Sequence, residues 1–212
     1  MSTLNGEAYA MGFLIVPGLG DSGEGHWQTL WEQRFPDARR VQQVHWDQPD
    51  LQRWSDQVVR TLEAHGEAWV IAHSFGCLAT VHALPRVSAL VKGVFLVAPA
   101  DPDKFGVAAQ LPLHPVPVRG ALVASRSDPW LSFERARLWA QRWELPVFDA
   151  GDAGHINMAS GHGAWEQGWR WLHQLRRYGR DSLQVVDIGA NHWLGQAGDI
   201  RQRHLRASSF CF

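Results

Sequence analysis

The sequence has almost no charge imbalance, since 20 Lys and Arg residues stand against 21 Asp and Glu residues in a chain of 212. The resulting formal charge of -1 creates no net field that would attract nucleic acid or an anionic membrane surface. The sequence also lacks any apolar run close to the roughly 20 residues that span a bilayer. We therefore expect no nucleic-acid partner and no membrane association, and nothing in the sequence indicates a protein partner.

Cysteine is scarce as well, because the chain has only Cys77 and Cys211. The first falls in a predicted helix and the second at the end of the chain, so we expect two reduced thiols and no structural disulfide. Residues 1–10 lack the basic start and apolar stretch of a secretory signal, which predicts a cytoplasmic protein. The histidines are scattered without ligand spacing, so we expect no metal and no cofactor.

What the sequence does contain is an alternation of short apolar runs and helical patterns through the first 177 residues. Such an order predicts an α/β fold: about six mostly parallel strands with helices on both faces. The interval between Val97 and Ala121 is too short for a large lid, which predicts a minimal cap or none. The expected strands are Phe13 to Val16, Val41 to Trp46, Trp69 to Ala72, Gly93 to Ala98, Ala121 to Ala124 and Pro146 to Phe148.

The chain divides near residue 178. We assign residues 1–178 to one catalytic domain, because they are long enough to bury a full core and carry all the alternating elements. Residues 179–212 follow no sustained period and form a C-terminal extension of uncertain structure. Within it, Val185, Val186 and Ile188 are compatible with a short strand, and disorder is the alternative.

A serine stands directly between an apolar strand and a good helix, in the run Ala72-His73-Ser74-Phe75-Gly76. Small residues two before and two after a serine permit the sharp turn of a nucleophile elbow, which lifts the hydroxyl above the sheet. Ser74 is therefore the candidate nucleophile, and His73 should point away from it toward the sheet. The alternative is that Ser74 only caps the following helix.

In a fold with this turn, the acid and then the base follow the serine, each just after a later strand. Asp128 comes after the strand at 121–124 and is the candidate acid, with an Asp-Pro turn as the alternative. His155 lies in a glycine-containing loop after the strand near Val147 and is the candidate base, with a solvated loop histidine as the alternative. Asp149 and Asp152 are runner-up acids.

The loop after the first strand, from Val16 to Trp27, contains four glycines. Such a loop can bring a backbone N–H beside the nucleophile, so Leu19 and Phe75 are the candidate oxyanion donors. Nucleotide binding is the weaker alternative, because no Lys-Ser/Thr follows the glycines. Among the 12 tryptophans, Trp27, Trp31 and Trp130 are candidates for flanking the mouth of the site, although core packing also suits any of them.

These segments resemble the small α/β hydrolases typified by retinoblastoma-binding protein nine, the serine hydrolase or YdeN-like family. The resemblance spans about residues 13–171 and covers the Val16-Pro17-Gly18 and Gly25-His26-Trp27 segments, the serine turn, and the loops that carry Asp128 and His155. It implies an α/β-hydrolase fold with little or no cap, Ser74, Asp128 and His155 as a triad, and no cofactor.

The residues together predict a serine hydrolase that cleaves small carboxylic esters, or amides or thioesters, through an acyl-enzyme on Ser74. The expected partner is a small ester substrate. The rival hypothesis is a binding protein that keeps the hydrolase fold without turnover, because fold alone does not dictate function. The acyl group and the leaving group are not fixed by the sequence.

Overall fold

The structure is a computed structural model and describes residues 12–178. The predicted C-terminal extension at 179–212, with its candidate strand around Val185, lies outside the described residues. Strands and helices alternate through the rest of the chain. They are β1 Gly12–Val16, α1 Trp27–Gln33, β2 Arg39–Arg40, α2 Leu51–His65, β3 Ala68–His73, α3 Phe75–Val87, β4 Val91–Val97, β5 Gly120–Ala124, α4 Phe133–Arg142, β6 Val147–Asp149 and α5 Glu166–Tyr178.

The six strands form one sheet in the order β2-β1-β3-β4-β5-β6, and every neighbouring pair is parallel. The predicted six-stranded parallel sheet is therefore confirmed. One strand was placed too late in the sequence: the edge strand is Arg39–Arg40 and not Val41 to Trp46. Val41 still donates its N–H to Ile15 O, but the chain then leaves the sheet, and the Trp46 ring packs edge-on against Trp54 of α2 at 5.7 Å.

Helices cover both faces of the sheet, because successive strand residues point to opposite sides. In β3, Val70 and Ala72 face a core built with α2, α3 and α4, whereas Trp69 and Ile71 face a second core built with α1 and α5. All six residues of β3 are buried. Burial on both sides explains why the strands are continuous apolar runs without alternation.

This topology brings the candidate catalytic residues together at the carboxyl ends of the strands. The carboxyl ends of β1, β3, β5 and β6 open into the loops that carry the first glycines, Ser74, Asp128 and His155. Between β4 and β5, the described chain has only one turn of 3-10 helix, Ala108–Gln110, where a cap domain would insert. No helix within residues 12–178 is long and apolar enough to cross a membrane.

Candidate active site

Ser74 lies on a tight turn between β3 and α3. Its backbone has φ 53 and ψ -124, a conformation that non-glycine residues rarely adopt, and its N–H donates to Val97 O at 3.1 Å. The hydroxyl makes no capping bond to α3, so the helix-cap alternative for Ser74 does not hold. The turn lifts the side chain away from the sheet toward the loops above it.

Close packing explains the small residues around this serine. A Cβ added at Gly76 would lie 2.3 Å from Pro17 O and 2.5 Å from Val16 O, so only glycine fits where α3 begins against the end of β1. Ala72 is completely buried in the sheet. The elbow therefore presses directly on the first loop, and its backbone has little room to move.

The structure brings Ser74, His155 and Asp128 into one hydrogen-bonded chain. His155 Nε2 lies 2.9 Å from Ser74 Oγ, and His155 Nδ1 lies 2.9 Å and 3.1 Å from the two carboxylate oxygens of Asp128. The side chains of His155 and Asp128 are shielded from solvent, since they are only 9% and 3% exposed. At these distances, a carboxylate and an imidazole can activate the serine hydroxyl as a nucleophile.

Asp128 also forms the turn that the sequence suggested for it. Its Oδ1 accepts the Trp130 N–H at 2.9 Å, which fixes the carboxylate while it faces His155. The runner-up acids are engaged elsewhere or exposed. Asp149 pairs with Arg126 at 2.6 Å and accepts the Gly151 N–H, and Asp152 lies at the surface.

Two serines that the sequence analysis did not single out join the acid loop to the base loop. Ser125 Oγ accepts the Ala153 N–H, and Ser127 Oγ accepts the Gly154 N–H, both at 3.0 Å. The bonds hold the His155 loop against the Asp128 loop just before the histidine. The Ser-x-Ser-Asp spacing was visible in the sequence, but a contact across about 27 residues was not.

Gln28 is a third residue that the sequence analysis missed. It is fully buried, and its side-chain nitrogen donates to Val16 O at 3.2 Å and to Ile71 O at 3.0 Å. Its Oε1 accepts from the Ser22 hydroxyl at 2.6 Å. Gln28 thereby ties the first loop to the ends of β1 and β3, which sets where that loop stands relative to Ser74.

A cleft of about 520 Å³ opens directly above the serine. Ser74 and His155 lie at its base, and apolar side chains supply most of its wall. Trp130 belongs to this wall and is 50% exposed, and Lys104 Nζ lies 5.9 Å from its ring centre. The apolar lining comes from Leu19, Ala100, Phe105, Trp130, Met158 and Ala159.

Two of the three tryptophans assigned to the mouth were assigned wrongly. Trp27 and Trp31 are completely buried, because the apolar side of α1 packs onto the sheet. Their indole N–H groups donate to Ile156 O at 2.9 Å and to Ala164 O at 3.0 Å. Neither ring lines the cleft, so core packing is the correct interpretation for both.

Two further histidines stand beside His155. His26 lines the cleft, and burial together with the nearby Arg40 charge lowers its pKa to about 4. His73 also lines the cleft, and burial lowers its pKa well below the usual value. Both rings are therefore neutral near neutral pH. The Nε2 atom of His73 lies 2.9 Å from His155 O.

Within residues 12–178, no group of three or more His, Cys, Asp or Glu side chains is arranged to hold a metal ion. Cys77 is a free, buried thiol, and Cys211 lies outside the described part of the chain.

The chain is similar to several solved structures. A YdeN-like hydrolase from Pectobacterium atrosepticum is 41% identical, with a TM-score of 0.75 over 78% of this chain and 90% of that chain. The ydeN gene product of B. subtilis is 18% identical, with a TM-score of 0.64 over 77% and 97%. The alpha/beta hydrolase domain-containing protein 10 from mouse is 13% identical, with a TM-score of 0.59 over 77% and 89%.

The last two similarities concern the fold alone. No curated protein shows significant similarity to the chain. The serine hydrolase family, in contrast, matches residues 13–174, which include the whole sheet and every loop around the cleft. The chain therefore belongs to the serine hydrolase family, as a small α/β-hydrolase-fold enzyme of the YdeN-like group.

Proposed function

We propose that this serine hydrolase cleaves small carboxylic esters, or amides or thioesters, through an acyl-enzyme on Ser74. The single observation that supports the proposal most is the continuous chain from the Asp128 carboxylate through both nitrogens of His155 to Ser74 Oγ. A buried carboxylate on Nδ1 leaves the Nε2 lone pair directed at the hydroxyl, which is the arrangement a general base needs.

In the proposed reaction, Ser74 Oγ attacks the substrate carbonyl carbon while His155 Nε2 takes the hydroxyl proton. Collapse of the tetrahedral intermediate breaks the bond to the leaving group, which departs with the proton returned by His155. Water then attacks the acyl-enzyme and gives a proton to His155, and the Oγ–acyl bond breaks. The carboxylic acid leaves, and Ser74 regains its proton. Asp128 stabilises the imidazolium in both halves.

The developing oxyanion would be held by the backbone N–H groups of Leu19 and Phe75. Phe75 is the first residue of α3, where N–H groups have no partner inside the helix and the helix dipole favours negative charge. Leu19 stands on the wall of the cleft, in the turn closed by the Asp21 N–H to Gly18 O bond of 3.2 Å. Phe75 directly follows the serine at the start of α3, whereas Leu19 belongs to the loop after β1.

The cleft favours a small and largely neutral substrate. Asp21 is the one carboxylate among the described lining residues; it is paired with Arg40 at 2.7 Å, and His26 and His73 are held neutral. Apolar side chains supply most of the remaining wall, and Asn157 adds a neutral polar group. A compact apolar acyl or alcohol group would be desolvated there at little electrostatic cost.

A fluorophosphonate probe tests the proposal against the binding-protein alternative. We expect the wild-type protein to be labelled rapidly and stoichiometrically, and the Ser74→Ala variant to resist labelling and to lose turnover of p-nitrophenyl acetate. His155→Ala should fold and label far more slowly, because Ser74 would lack its base. A wild-type protein that stays unlabelled at high probe concentration would refute the acyl-enzyme and favour a binding role.

A further inference from the structure

The backbone that carries His155 has an unusual conformation. Gly154 has φ 57, and Ile156 has φ 48. Glycine adopts such angles freely, but a β-branched residue rarely does, and it stays there only when its surroundings hold it. Ile156 is also completely buried. The segment on either side of His155 therefore depends on contacts with the rest of the fold.

Two buried ring N–H groups supply those contacts. His73 Nε2 lies 2.9 Å from His155 O, and Trp27 Nε1 donates to Ile156 O at 2.9 Å. The two acceptors are consecutive carbonyls, and the two donors come from different elements, the end of β3 and the start of α1. The rings also support each other edge to face, with centres 5.9 Å apart.

The protonation of His73 suits this bond. A carbonyl oxygen only accepts, so the His73 proton must be on Nε2 for the contact to be a hydrogen bond. Burial keeps the ring neutral, which leaves it one N–H to donate. The His73 and His155 rings are 4.8 Å apart, and a neutral His73 adds no charge beside the base.

We propose that His73 and Trp27 are positioning residues for His155, whose ring N–H groups hold two successive carbonyls of the His155 loop in its strained conformation. The inference rests on the proposed role of His155 as the base. Proton transfer from Ser74 needs an approach of roughly 3 Å, and a displacement of about 1 Å can cost on the order of 100-fold in rate. The two bonds keep the His155 ring at that distance.

The chain contains a matched control for Trp27. Trp31 lies on the same helix, is equally buried, and also donates its indole N–H to a carbonyl, Ala164 O. Ala164 is nine positions beyond His155, outside the loop that carries the histidine. Trp27→Phe and Trp31→Phe therefore remove the same chemical group from the same kind of site, but only the first frees the His155 loop.

The test measures kcat, KM and the thermal midpoint of both variants with p-nitrophenyl acetate. We expect similar losses of Tm, a fall of about tenfold or more in kcat for Trp27→Phe with KM nearly unchanged, and a kcat within about twofold of wild type for Trp31→Phe. Unchanged kcat in Trp27→Phe, or an equal fall in Trp31→Phe, would overturn the proposal and leave only a packing role.

His73 is tested by a pair of substitutions of similar size. Gln keeps an amide donor near the Nε2 position, whereas Met offers none. We expect His73→Gln to retain several times more kcat than His73→Met, and equal kcat values in the two folded variants would exclude the donor role. If His73→Met does not fold, the tryptophan pair decides. Retained turnover in Ser74→Ala would refute the proposed function itself, whereas an inactive Ser74→Ala with a fully active Trp27→Phe would refute positioning alone.

Discussion

Gly18 and Ser74 are in such close contact that a Cβ on residue 18 would lie 2.7 Å from Ser74 Cβ and 3.3 Å from its Oγ. The first loop therefore packs onto the nucleophile itself. On the other side, Gly76 packs closely against Pro17 O, so the serine turn cannot move away from the first loop. The space around Ser74 Oγ is therefore open only because residue 18 is a glycine and has no side chain.

This contact predicts that Gly18→Ala reduces kcat/KM by about tenfold or more while the protein still folds, because either Ser74 or the Leu19 N–H must shift. Gly23→Ala is the control, since it lies in the same loop and an added Cβ there would meet nothing within 4 Å. Steady-state kinetics with p-nitrophenyl acetate and circular dichroism of both variants check the expectation. Equal activity in the two variants would show that the loop tolerates the methyl group.

The acid is tested by two parallel substitutions. Asp128→Asn should lower kcat on the order of 10⁴-fold with the fold intact, because an amide favours the wrong histidine tautomer. Asp149→Asn should leave kcat nearly unchanged, since it removes only the ion pair with Arg126, whose side chain is 56% exposed. Full activity in Asp128→Asn would require reassignment of the acid, with Asp152 the next residue to substitute.

His26 predicts a specific sensitivity to acid. Its pKa is lowered from 6.5 to about 4 in the folded protein. Between these two pH values, the unfolded chain therefore binds a proton at His26 and the folded protein does not. Stability is therefore lost as the pH falls through that window, by up to about 3 kcal/mol for this one group. Above pH 6.5 the ring is neutral in both states and contributes no pH dependence.

His26→Asn should remove this loss and keep the helix start. His26 Nδ1 accepts the Gln28 N–H at 3.2 Å as the cap of α1, and Asn is among the best residues for that position. Urea unfolding at pH 7 and near pH 4.5 should show a variant that loses clearly less stability on acidification than the wild type. The same loss in both proteins would exclude His26 as the titrating group.

The open cleft predicts a preference for short acyl chains. Residues 12–178 place no cap domain over the cleft of about 520 Å³, so each added methylene should gain much less than the roughly 0.8 kcal/mol of full burial. Values of kcat/KM for p-nitrophenyl esters from acetate to palmitate should therefore fall or stay level. A steady rise to the longest chain would require an apolar tunnel instead.

Trp130 is expected to act on KM, because its half-exposed ring forms a wall of the cleft. Trp130→Ala should raise KM several-fold for an aromatic ester, with a smaller change in kcat. Leu138→Ala is the comparison, as Leu138 is 54% exposed on α4 and does not line the cleft. Equal KM values in the two variants would remove Trp130 from the binding surface.

Removal of residues 179–212 should preserve folding and ester hydrolysis, because all six strands and the three proposed catalytic residues precede Tyr178. Urea unfolding and p-nitrophenyl acetate turnover of the shortened chain test this prediction. Loss of cooperative unfolding would mean that the removed segment packs onto the catalytic domain.

Five of the six strands and the loops that carry Ser74, Asp128 and His155 could be predicted along the chain, because each depends on local signals: an apolar run followed by a turn residue. Which tryptophans line the cleft could not be predicted in this way. An amphipathic indole suits a buried face or the rim of a cleft equally well, and only the orientation of α1 decides between them.

Contacts between distant segments were equally out of reach. His73 meets His155 O across 82 positions, and Gln28 meets Ile71 O across 43. The local sequence around each of these residues does not indicate which distant residue it contacts. The edge strand was misplaced for a related reason: Arg39 and Arg40 have no apolar pattern, and their pairing with Leu14 and Ile15 is fixed by the neighbouring strand.

The tryptophans of α1 also have an optical consequence. The Trp31 ring is stacked on Trp165 with centres 5.6 Å apart and planes within 4°, and Trp27 lies 4.7 Å from Trp31 and 5.1 Å from Trp165. Indole transitions at such separations couple, and a coupled pair gives paired circular dichroism bands of opposite sign. Trp165 lies in the segment that follows the His155 loop, so the docking of that segment on α1 gives the protein an intrinsic spectroscopic signal that needs no label.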